Sequence, residues 1–421
     1  MRERWKPMED CIPRMLFRAL LLFWLMAGIS SCGPEHADHA WCHAVEDPCA
    51  AAVYAADRPE GRALHVNSCC GKKSGDGTLD RPLLSVEAAL EAAEDGDVIL
   101  VGPGVYEEAV LVTKPVSLVG AGSDSCTLSS TAASATLSIA EVKGGLFAGF
   151  SLEGAGHGGL YVQKAEDMEL ADFVASGYED DGEFPGVGVF VADSTNVLLR
   201  GIVAEKNQTF GVAIQNSTGQ FLSAAVRENG NGETSAGIAV TKGSRFTLGQ
   251  ELPADEAEDT AAGDLANGGG VVENNTGMGI FVDDSTVIIV FCRVAGNQFG
   301  GIALMDCIET EGVISRVQHS EVLDSVTYGV AVFGGQAVIS DNVVDGVTPA
   351  CADKCAAHGI SATDSATGPA KVWIERNQIM NSEGAGILAD KVDSGAPQAG
   401  RGDHISIIIQ CIIWDNYVSN W

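Results

Sequence analysis

Polar residues with carboxylate or amide side chains recur at a fixed distance from a repeated glycine in this chain. The motif is Gly, an aliphatic residue, any residue, and then Val, Ile, Leu or Ala, and it starts at Gly159, Gly188, Gly211, Gly237, Gly279, Gly301, Gly329, Gly359 and Gly386. Five residues after six of these glycines stands a polar residue: Asp193, Asn216, Lys242, Asp284, Asp306 and Asp364. The spacing suggests a column of like residues.

Two of these carboxylates could do chemistry together. If successive repeats stack as strands about 5 Å apart, Asp284 and Asp306 become neighbours, with Asp283 beside them. Paired carboxylates either raise one of the two pKa values or hold a divalent cation, and Ca²⁺ is the one cofactor that these residues suggest. The structural alternative is an Asx turn at each strand end, repeated because the coil repeats.

Cysteines form a second candidate set. Those expected to form disulfides are Cys42, Cys49, Cys69 and Cys70 near the start, with open connectivity, and Cys351 and Cys355, which we expect to bridge each other. Clustered His and Cys residues also suggest metal binding, and His39, Cys42 and His43 could converge on an ion. Their spacing matches no paired-cysteine zinc pattern, so disulfides are the preferred interpretation.

Two further cysteines are expected to stay reduced. Cys292 and Cys411 each stand five residues before an asparagine, which places both in one inward-facing column. About four coils separate them, roughly 19 Å at the strand spacing. Since a disulfide needs a Cα separation below about 7 Å, we expect two buried free thiols.

The start of the chain has the form of an export signal. Arg14 and Arg18 precede the apolar run Ala19–Ala27, which is too short for a transmembrane helix of about 20 residues. The following Ile-Ser-Ser-Cys32 resembles the lipobox of bacterial lipoproteins. That resemblance implies removal of residues 1–31, acylation of Cys32 and anchoring to the cell envelope, at the outer membrane or cell surface. An ordinary secretory signal is the alternative, and residues 32–65 are expected to be a flexible tether.

The repeated glycines predict a solenoid. Their spacings are 29, 23, 26, 42, 22, 28, 30 and 27 residues, which fit a unit of about 23 residues with loop insertions. The interval of 42 contains an acidic stretch, residues 250–266, that we interpret as a lateral loop. Stacking of neighbouring repeats would supply the core that no single repeat could bury.

The segment before the repeats predicts a short helix. Val86, Ala89, Leu90 and Ala93 fall on one helical face, and Ser85 stands at the N-cap position. The helix is followed by Asp97-Val-Ile-Leu-Val101 and Pro103-Gly-Val-Tyr106, and then by Val116-Ser-Leu-Val119 and Gly120-Ala-Gly122. This order resembles the opening of many bacterial pectin-lyase-fold proteins.

The resemblance implies an all-β fold, a single-stranded right-handed parallel β-helix over residues 66–421. About ten coils are expected, with an N-terminal cap at 75–120 whose helix plugs the first end. Asparagines four or five residues before the motif glycine would then stack in a structural hydrogen-bonded ladder: Asn207, Asn275, Asn297 and Asn381.

The net negative charge of the chain disfavours several classes of binding partner. The formal net charge is −32, and removal of residues 1–31 leaves 20 basic and 54 acidic residues, or −34. Such a field repels nucleic acid and anionic membrane surfaces, so no nucleic-acid partner is expected. It also disfavours an anionic polysaccharide unless a local basic patch or bound cations intervene.

No complete catalytic motif is present. Gly156-His157-Gly158 resembles a fragment of the polygalacturonase pattern without its context, and Glu375-Arg376 stands where pectate lyases carry Asp-His. We therefore expect a lipid-anchored surface module that recognises carbohydrate or a protein partner without catalysis. The alternative is a polysaccharide lyase, hydrolase or epimerase with a carboxylate or Ca²⁺-dependent site on the solenoid face.

Overall fold

The computed structural model describes residues 59–132, 134–182, 184–250, 269–351 and 357–390, and the backbone of 409–414. The chain divides into two compact units, Met1–Phe190 and Val191–Trp421. The predicted leader 1–31, Cys32 and most of the tether lie outside the described residues.

The first unit contains one described helix and eleven strands. They are α1 (Val86–Ala92), β1 (Ala63–Val66), β2 (Val98–Val101), β3 (Gly104–Tyr106), β4 (Val110–Val112), β5 (Ser117–Gly120), β6 (Cys126–Ser130), β7 (Ala135–Ala140), β8 (Leu146–Gly154), β9 (Gly158–Gln163), β10 (Glu166–Ser176) and β11 (Val187–Ala192), in which the division at Phe190 falls. β1 begins three residues before the predicted boundary of the β-helix at residue 66.

The strands of the first unit pair in parallel and join successive coils. One stack runs β1–β2–β5–β8–β10, a second runs β3–β6–β8–β10, and a third runs β4–β7–β9. The chain therefore visits three sheets in each coil before it returns to the first. Crossover connections between parallel strands are right-handed in nearly all proteins, and the fold is a right-handed parallel β-helix, as predicted.

The predicted helix forms, and backbone groups at both of its ends are hydrogen-bonded by side chains. The Ser85 hydroxyl accepts from the Ala88 amide at 3.2 Å, and Val86, Ala89 and Leu90 are buried. At the other end, Lys114 Nζ donates to the carbonyls of Leu90 at 2.7 Å and Ala93 at 2.9 Å. These contacts satisfy groups that a short helix leaves unpaired. The capping role of the segment 75–120 stays a prediction.

The second unit continues with strands of the same kind. They are β12 (Thr195–Glu205), β13 (Phe210–Gln215), β14 (Thr218–Leu222), β15 (Ala225–Arg227), β16 (Ala236–Thr241), β17 (Arg245–Gly249), β18 (Val271–Glu273), β19 (Met278–Asp283), β20 (Thr286–Val290), β21 (Arg293–Ala295), β22 (Gly300–Cys307), β23 (Ser315–Gln318), β24 (Glu321–Leu323), β25 (Tyr328–Ser340), β26 (Val343–Asp345), β27 (His358–Thr363), β28 (Ala370–Met380), β29 (Ile387–Asp390) and β30 (Ile409–Trp414).

Three parallel sheets make up the second unit. Sheet 1 runs from β12 through β14, β17, β20, β23, the second half of β25 and β28 to β30. Sheet 2 contains the end of β12, then β15, β18, β21, β24, β26 and the end of β28. Sheet 3 contains β13, β16, β19, β22, the start of β25, β27 and β29. The predicted total of about ten coils stays a prediction.

The motif glycine lies where sheet 3 begins and is required by close packing. A Cβ at Gly279 would lie 2.7 Å from both Val294 Cγ1 and Asn297 Nδ2, which are buried. The aliphatic residues after the glycine then fill the interior. The repeated glycine therefore marks the position where the chain enters sheet 3 from the corner after sheet 2.

A ladder of buried asparagines occupies this corner. Asn207 Nδ2 donates to Asn229 Oδ1 at 3.0 Å, Asn229 Nδ2 to Asn275 Oδ1 at 3.1 Å, and Asn275 Nδ2 to Asn297 Oδ1 at 2.9 Å. The prediction is confirmed for Asn207, Asn275 and Asn297. Asn229 was missed because its distance from the following glycine, eight residues, differs from that of the others.

Asn381 is not part of this ladder, and its assignment was wrong. Its φ is 50°, and its exposed side chain donates to Asp345 Oδ1 at 2.7 Å. The buried position in that coil belongs to Ser382, four residues before Gly386. Asn381 stands five residues before the glycine, at the left-handed residue that turns the corner. Asparagine favours that conformation too, so the residue type alone did not separate the two positions.

The acidic stretch 250–266 lies almost wholly outside the described residues. β15, β18 and β21 pair in succession on either side of it, in unbroken register. The insertion therefore leaves the stacking of sheet 2 intact. Among the described residues, no helix is both long and apolar enough to cross a membrane.

Candidate functional site

The polar residues of the predicted column lie at the turn that connects sheet 3 to sheet 1. The φ angles of its members lie in the left-handed region: Asp193 50°, Asn216 45°, Lys242 58°, Asp284 46° and Asp306 47°. Asp and Asn adopt this conformation more readily than most residues. Asp364 differs, since its Oδ1 accepts a hydrogen bond from the Ala370 amide at 3.1 Å. Turn formation therefore explains the repeat.

A serine column follows the turn and holds the coils together. The amide of Ser194 donates to Ser217 Oγ at 3.0 Å, that of Ser217 to Ser244 Oγ at 3.2 Å, and that of Ser244 to Ser285 Oγ at 3.1 Å. All four serines are buried. The hydroxyls of Ser217, Ser244 and Ser285 each satisfy a backbone amide that the turn leaves outside the strand pairing.

The three carboxylates predicted to bind a cation lie on two adjacent coils, at the ends of neighbouring strands of sheet 3. Asp283 pairs in register with Met305, so Asp284 and Asp306 occupy equivalent positions on adjacent coils. Asp306 Oδ1 accepts hydrogen bonds from the hydroxyls of Ser365 and Thr367. Among the residues that the structure describes, no group of three or more His, Cys, Asp or Glu side chains could hold a metal ion. We propose no calcium site at these residues.

The cysteines follow the sequence interpretation in part. Cys292 is free and buried, as predicted, and Cys126 and Cys307 are two further buried free thiols. Burial raises the pKa of each to about 12. The backbone of Cys411 lies in β30, four strand steps beyond β20 in sheet 1, which agrees with the predicted separation from Cys292.

The disulfide prediction concerns pairs that are only partly described. Cys69, Cys70 and Cys351 are disulfide-bonded. Cys42, Cys49 and Cys355 lie outside the described residues. The pairing of these cysteines therefore stays a prediction.

Two arginines of the second unit, Arg376 and Arg293, are engaged in ion pairs. Arg376 Nε and Nη2 donate to the two carboxylate oxygens of Asp341 at 2.6 and 2.7 Å. Arg293 Nη1 lies 3.0 Å from Glu321 Oε2. A guanidinium held in this way is committed to the fold and does not act as a base.

A different cluster stands out in the first unit, around His157. His157 Nε2 lies 3.6 Å from Asp181 Oδ2, and the His157 ring packs against Phe184 with a centroid distance of 4.8 Å. The His157 side chain is 14% exposed and that of Asp181 is 50% exposed. The pair thus borders solvent on the Asp181 side.

The loop 177–186 between β10 and β11 positions Asp181. The Phe184 amide donates to Asp181 Oδ1 at 2.8 Å, and this bond orients the carboxylate so that Oδ2 faces His157. At the base of the loop, the buried Tyr178 hydroxyl lies 2.8 Å from Thr136 Oγ1. His157 is fixed in turn through its own carbonyl, which accepts from the Val187 amide at 2.8 Å.

Aromatic rings extend the cluster onto the neighbouring strand. The Tyr161 ring lies over the Cα of Gly158, where a Cβ would overlap it. Tyr161 also packs against Phe190, with ring centroids 5.3 Å apart. Burial raises the pKa of the Tyr161 hydroxyl far above its usual range, so the phenol stays neutral. The cluster itself thus combines an imidazole, a carboxylate and the Phe184 ring, and the Tyr161–Phe190 pair packs beside Gly158, the residue after His157.

His157 stands out in the sequence as part of Gly156-His157-Gly158, but no neighbouring residue indicates a partner for it. The partner Asp181 comes 24 residues later, in a loop that does not repeat. One signal was present: the interval from Gly159 to Gly188 is 29 residues rather than about 23, and it holds Glu179-Asp180-Asp181 between glycines. An insertion rich in acidic residues next to a histidine therefore marked the site.

Comparisons with known proteins find similarity to solved structures alone. No protein-family model and no curated protein matches this sequence. Similar solved structures include a double mutant of the periplasmic alginate epimerase AlgG, at 9% identity and TM-score 0.45 over 78% of this chain and 83% of that one. Pectate lyase Pel9A follows at 15% identity and TM-score 0.40, over 89% and 82%.

A further similar structure is the A-module of the Azotobacter vinelandii mannuronan C-5 epimerase AlgE4. It has 11% identity and TM-score 0.39, over 80% of this chain and 94% of that one. Likeness of this degree says nothing about activity.

Proposed function

We propose that this chain is an exported cell-envelope protein whose β-helix binds a neutral carbohydrate at the His157 cluster. The observation that carries the proposal is the packing of His157 between the Asp181 carboxylate and the Phe184 ring at the protein surface. Cell-envelope attachment follows from the export signal and from the resemblance of residues 29–32 to a lipobox.

The chemistry of the cluster suits a sugar. The faces of aromatic rings pack against the C–H groups of a pyranose, and Phe184 is only half-buried. Asp181 accepts hydrogen bonds from hydroxyl groups, and His157 both donates and accepts. Ordered polar groups beside an aromatic surface are the usual means of fixing a sugar's orientation in a site.

The negative charge of the loop and of the whole chain favours some classes of sugar over others. Glu179, Asp180 and Asp181 follow one another in the loop, and the chain as a whole carries −32. A uronic acid polymer would meet this field with like charge and bind weakly. A neutral or amino-sugar glycan avoids that repulsion, so we infer that such a glycan is the ligand.

Glycan binding tests this proposal directly. The chain from residue 32, with Cys32→Ser, is applied to an array of neutral, amino-sugar and uronic acid glycans. We expect retention of a neutral or amino-sugar ligand, with Asp181→Asn and Phe184→Ala weakening binding about tenfold or more. Glu179→Gln removes the same charge two residues away and is expected to leave affinity within about twofold.

Two results would contradict the proposal of glycan binding at the His157 cluster. One is failure to bind any neutral or amino-sugar glycan. The other is an equal loss of affinity in Glu179→Gln and Asp181→Asn. Binding would then depend on overall charge and not on Asp181 in particular.

A second candidate function is cleavage or epimerisation of the bound polysaccharide. It is favoured by the orientation of Asp181 Oδ2 toward His157 Nε2, since a carboxylate that orients an imidazole equips it for general acid–base work. Incubation of the bound glycan with the wild-type chain, followed by assays for new reducing ends and for unsaturated products, separates enzyme from binding module. Loss of product in His157→Gln with retained binding would identify an enzyme.

A further inference from the structure

Two Asn-Gly dipeptides stand side by side in the loop between β15 and β16, Asn229-Gly230 and Asn231-Gly232. In such a dipeptide the glycine has no side chain that would hinder attack of its amide nitrogen on the asparagine side chain. The two dipeptides therefore have the same intrinsic chemistry, and their surroundings in the fold decide which one reacts. A third, Asn267-Gly268, lies outside the described residues.

Asn229 is held in place at every polar atom of its side chain. It is 0% exposed, and its Nδ2 donates to Asn275 Oδ1 at 3.1 Å and to the Ala204 carbonyl at 2.9 Å. Its Oδ1 accepts from Asn207 Nδ2 at 3.0 Å. The amide of Gly230, which would have to attack, donates instead to the Asn207 carbonyl at 2.8 Å. The ladder thus keeps the two reacting groups of this dipeptide apart.

Asn231 is in the opposite situation. It is exposed, and no hydrogen bond to another described residue fixes its side chain. The amide of Gly232 donates to Ser235 Oγ at 3.3 Å, which is longer than the usual N–H···O distance. A Cβ on Gly232 would meet no atom within 4 Å, so the space around this amide is open.

We propose that Asn231 is a site of spontaneous deamidation in the folded protein, while Asn229 stays intact. The Gly232 amide nitrogen, after losing its proton to hydroxide, attacks Cγ of Asn231. The bond from Cγ to Nδ2 breaks, Nδ2 takes a proton from water and leaves as ammonia, and a succinimide ring remains. Water then adds to either ring carbonyl and reopens the ring. Addition at Cγ gives aspartate, and addition at the main-chain carbonyl gives isoaspartate.

The modification changes the charge of one corner of the solenoid. Either product places a new carboxylate between Glu228 and Glu233, and isoaspartate also lengthens the main chain by one methylene. The loop is anchored on both sides of the site, by the Gly230 amide and by the Ser235 hydroxyl, which donates to the Gly232 carbonyl at 2.5 Å. The ladder therefore stays in place. The site lies in the second unit and does not depend on the proposed carbohydrate binding.

The test uses the chain from residue 32, with Cys32→Ser, kept folded at mildly alkaline pH and sampled over time by peptide mass spectrometry. We expect Asn231 to convert more than about tenfold faster than Asn229, because Asn229 reacts only when the buried corner opens. In guanidinium chloride the ladder is lost, and the two rates should agree within about threefold. Raising the pH should speed conversion of Asn231, since the attacking nitrogen must be deprotonated.

Asn231→Gln is the matched control. It keeps an exposed side-chain amide, but attack by the next amide nitrogen would form a larger ring, so the acidic species that arises from this loop should disappear from ion-exchange profiles. Asn231→Asp supplies the charge of the product as a reference. Thermal unfolding by circular dichroism verifies that both variants fold, and the comparison of native and denatured wild-type chain needs neither.

Two outcomes overturn the proposal. One is equal conversion of Asn229 and Asn231 in the folded chain, which would mean that the ladder gives no protection. The other is conversion of Asn231 in the denatured chain alone, which would mean that the folded loop holds the Gly232 amide away from the Asn231 side chain.

Discussion

Asn229 donates its side-chain amide to Asn275 Oδ1 at 3.1 Å, although 46 residues separate the two in sequence. The same Asn229 accepts at Oδ1 from Asn207 Nδ2 at 3.0 Å and donates to the Ala204 carbonyl at 2.9 Å. Adjacent coils are thus joined by side chains as well as by strand pairing. The acidic insertion lies between these two asparagines in the sequence and leaves their contact unchanged.

Removing the middle of this ladder is expected to be costly. Asn229→Ala leaves the amide groups of Asn207 and the carbonyl of Ala204 without a partner in a buried corner, which costs about 2–4 kcal/mol of unfolding free energy. The denaturant midpoint measures the loss. Asn231→Ala, two residues away and exposed, is the control and is expected to change stability by less than about 0.5 kcal/mol. Equal effects would mean that the ladder is not a stabilising feature.

The motif glycine gives a second stability test. Gly279→Ala places a Cβ against Val294, Asn297 and the Gly301 carbonyl, and overpacking of this kind costs about 1–3 kcal/mol. Gly368→Ala is the matched control, because no atom lies within 4 Å of a Cβ there. Thermal unfolding should show a lower melting temperature for Gly279→Ala than for Gly368→Ala. A neutral Gly279→Ala would show that the glycine recurs for another reason.

Glu108 makes stability depend on pH. Burial raises the pKa of its carboxyl above 4.5, although hydrogen bonds from the Glu87 and Val86 amides partly offset this. A raised pKa in the folded state means that its contribution to stability is complete below the unfolded pKa and is lost as pH rises through the folded pKa.

Glu108→Gln removes this titration and keeps an acceptor for the helix N-terminus. Compared with the wild type, the variant should therefore gain relative stability as pH rises from about 4 to 8. Denaturant midpoints across this range measure the difference. A difference that does not change with pH would contradict the assignment.

The buried thiols should be inert in the folded protein. Cys126, Cys292 and Cys307 are buried with pKa values of about 12, so thiolate is scarce and access is closed. We expect no alkylation of these three residues in the native state and full alkylation after denaturation, read by peptide mass spectrometry. A Cys292–Cys411 crosslink in a non-reducing digest would contradict the register of sheet 1.

Acylation of Cys32 is tested in a bacterial host that processes lipoproteins. The wild-type chain is expected in the detergent phase of a Triton X-114 extract, because two lipid signals hold a protein stably in a membrane. Cys32→Ser should move it to the aqueous phase. Retention of Cys32→Ser in detergent would contradict a lipid anchor at this residue, while an aqueous wild type would indicate an ordinary secretory signal.

Repetition and local patterns explain how much of the fold the sequence predicted. A glycine that recurs mostly every 22 to 30 residues, followed by alternating aliphatic residues, specified stacked parallel strands. Val86, Ala89 and Leu90, with Ser85 before them, specified the helix. These features need only neighbours in sequence or the same residue one coil away, and nearest-neighbour stacking repeats them along the chain.

Only the tertiary structure decided which asparagine enters the ladder and what faces His157. Asn381 and Ser382 differ by one position, and the φ of the corner residue, not the residue type, determines which side chain points inward. Asp181 reaches His157 through a loop that occurs once, held by Phe184 and Tyr178. No repeat constrains such a loop, so its contacts follow from packing between segments distant in sequence.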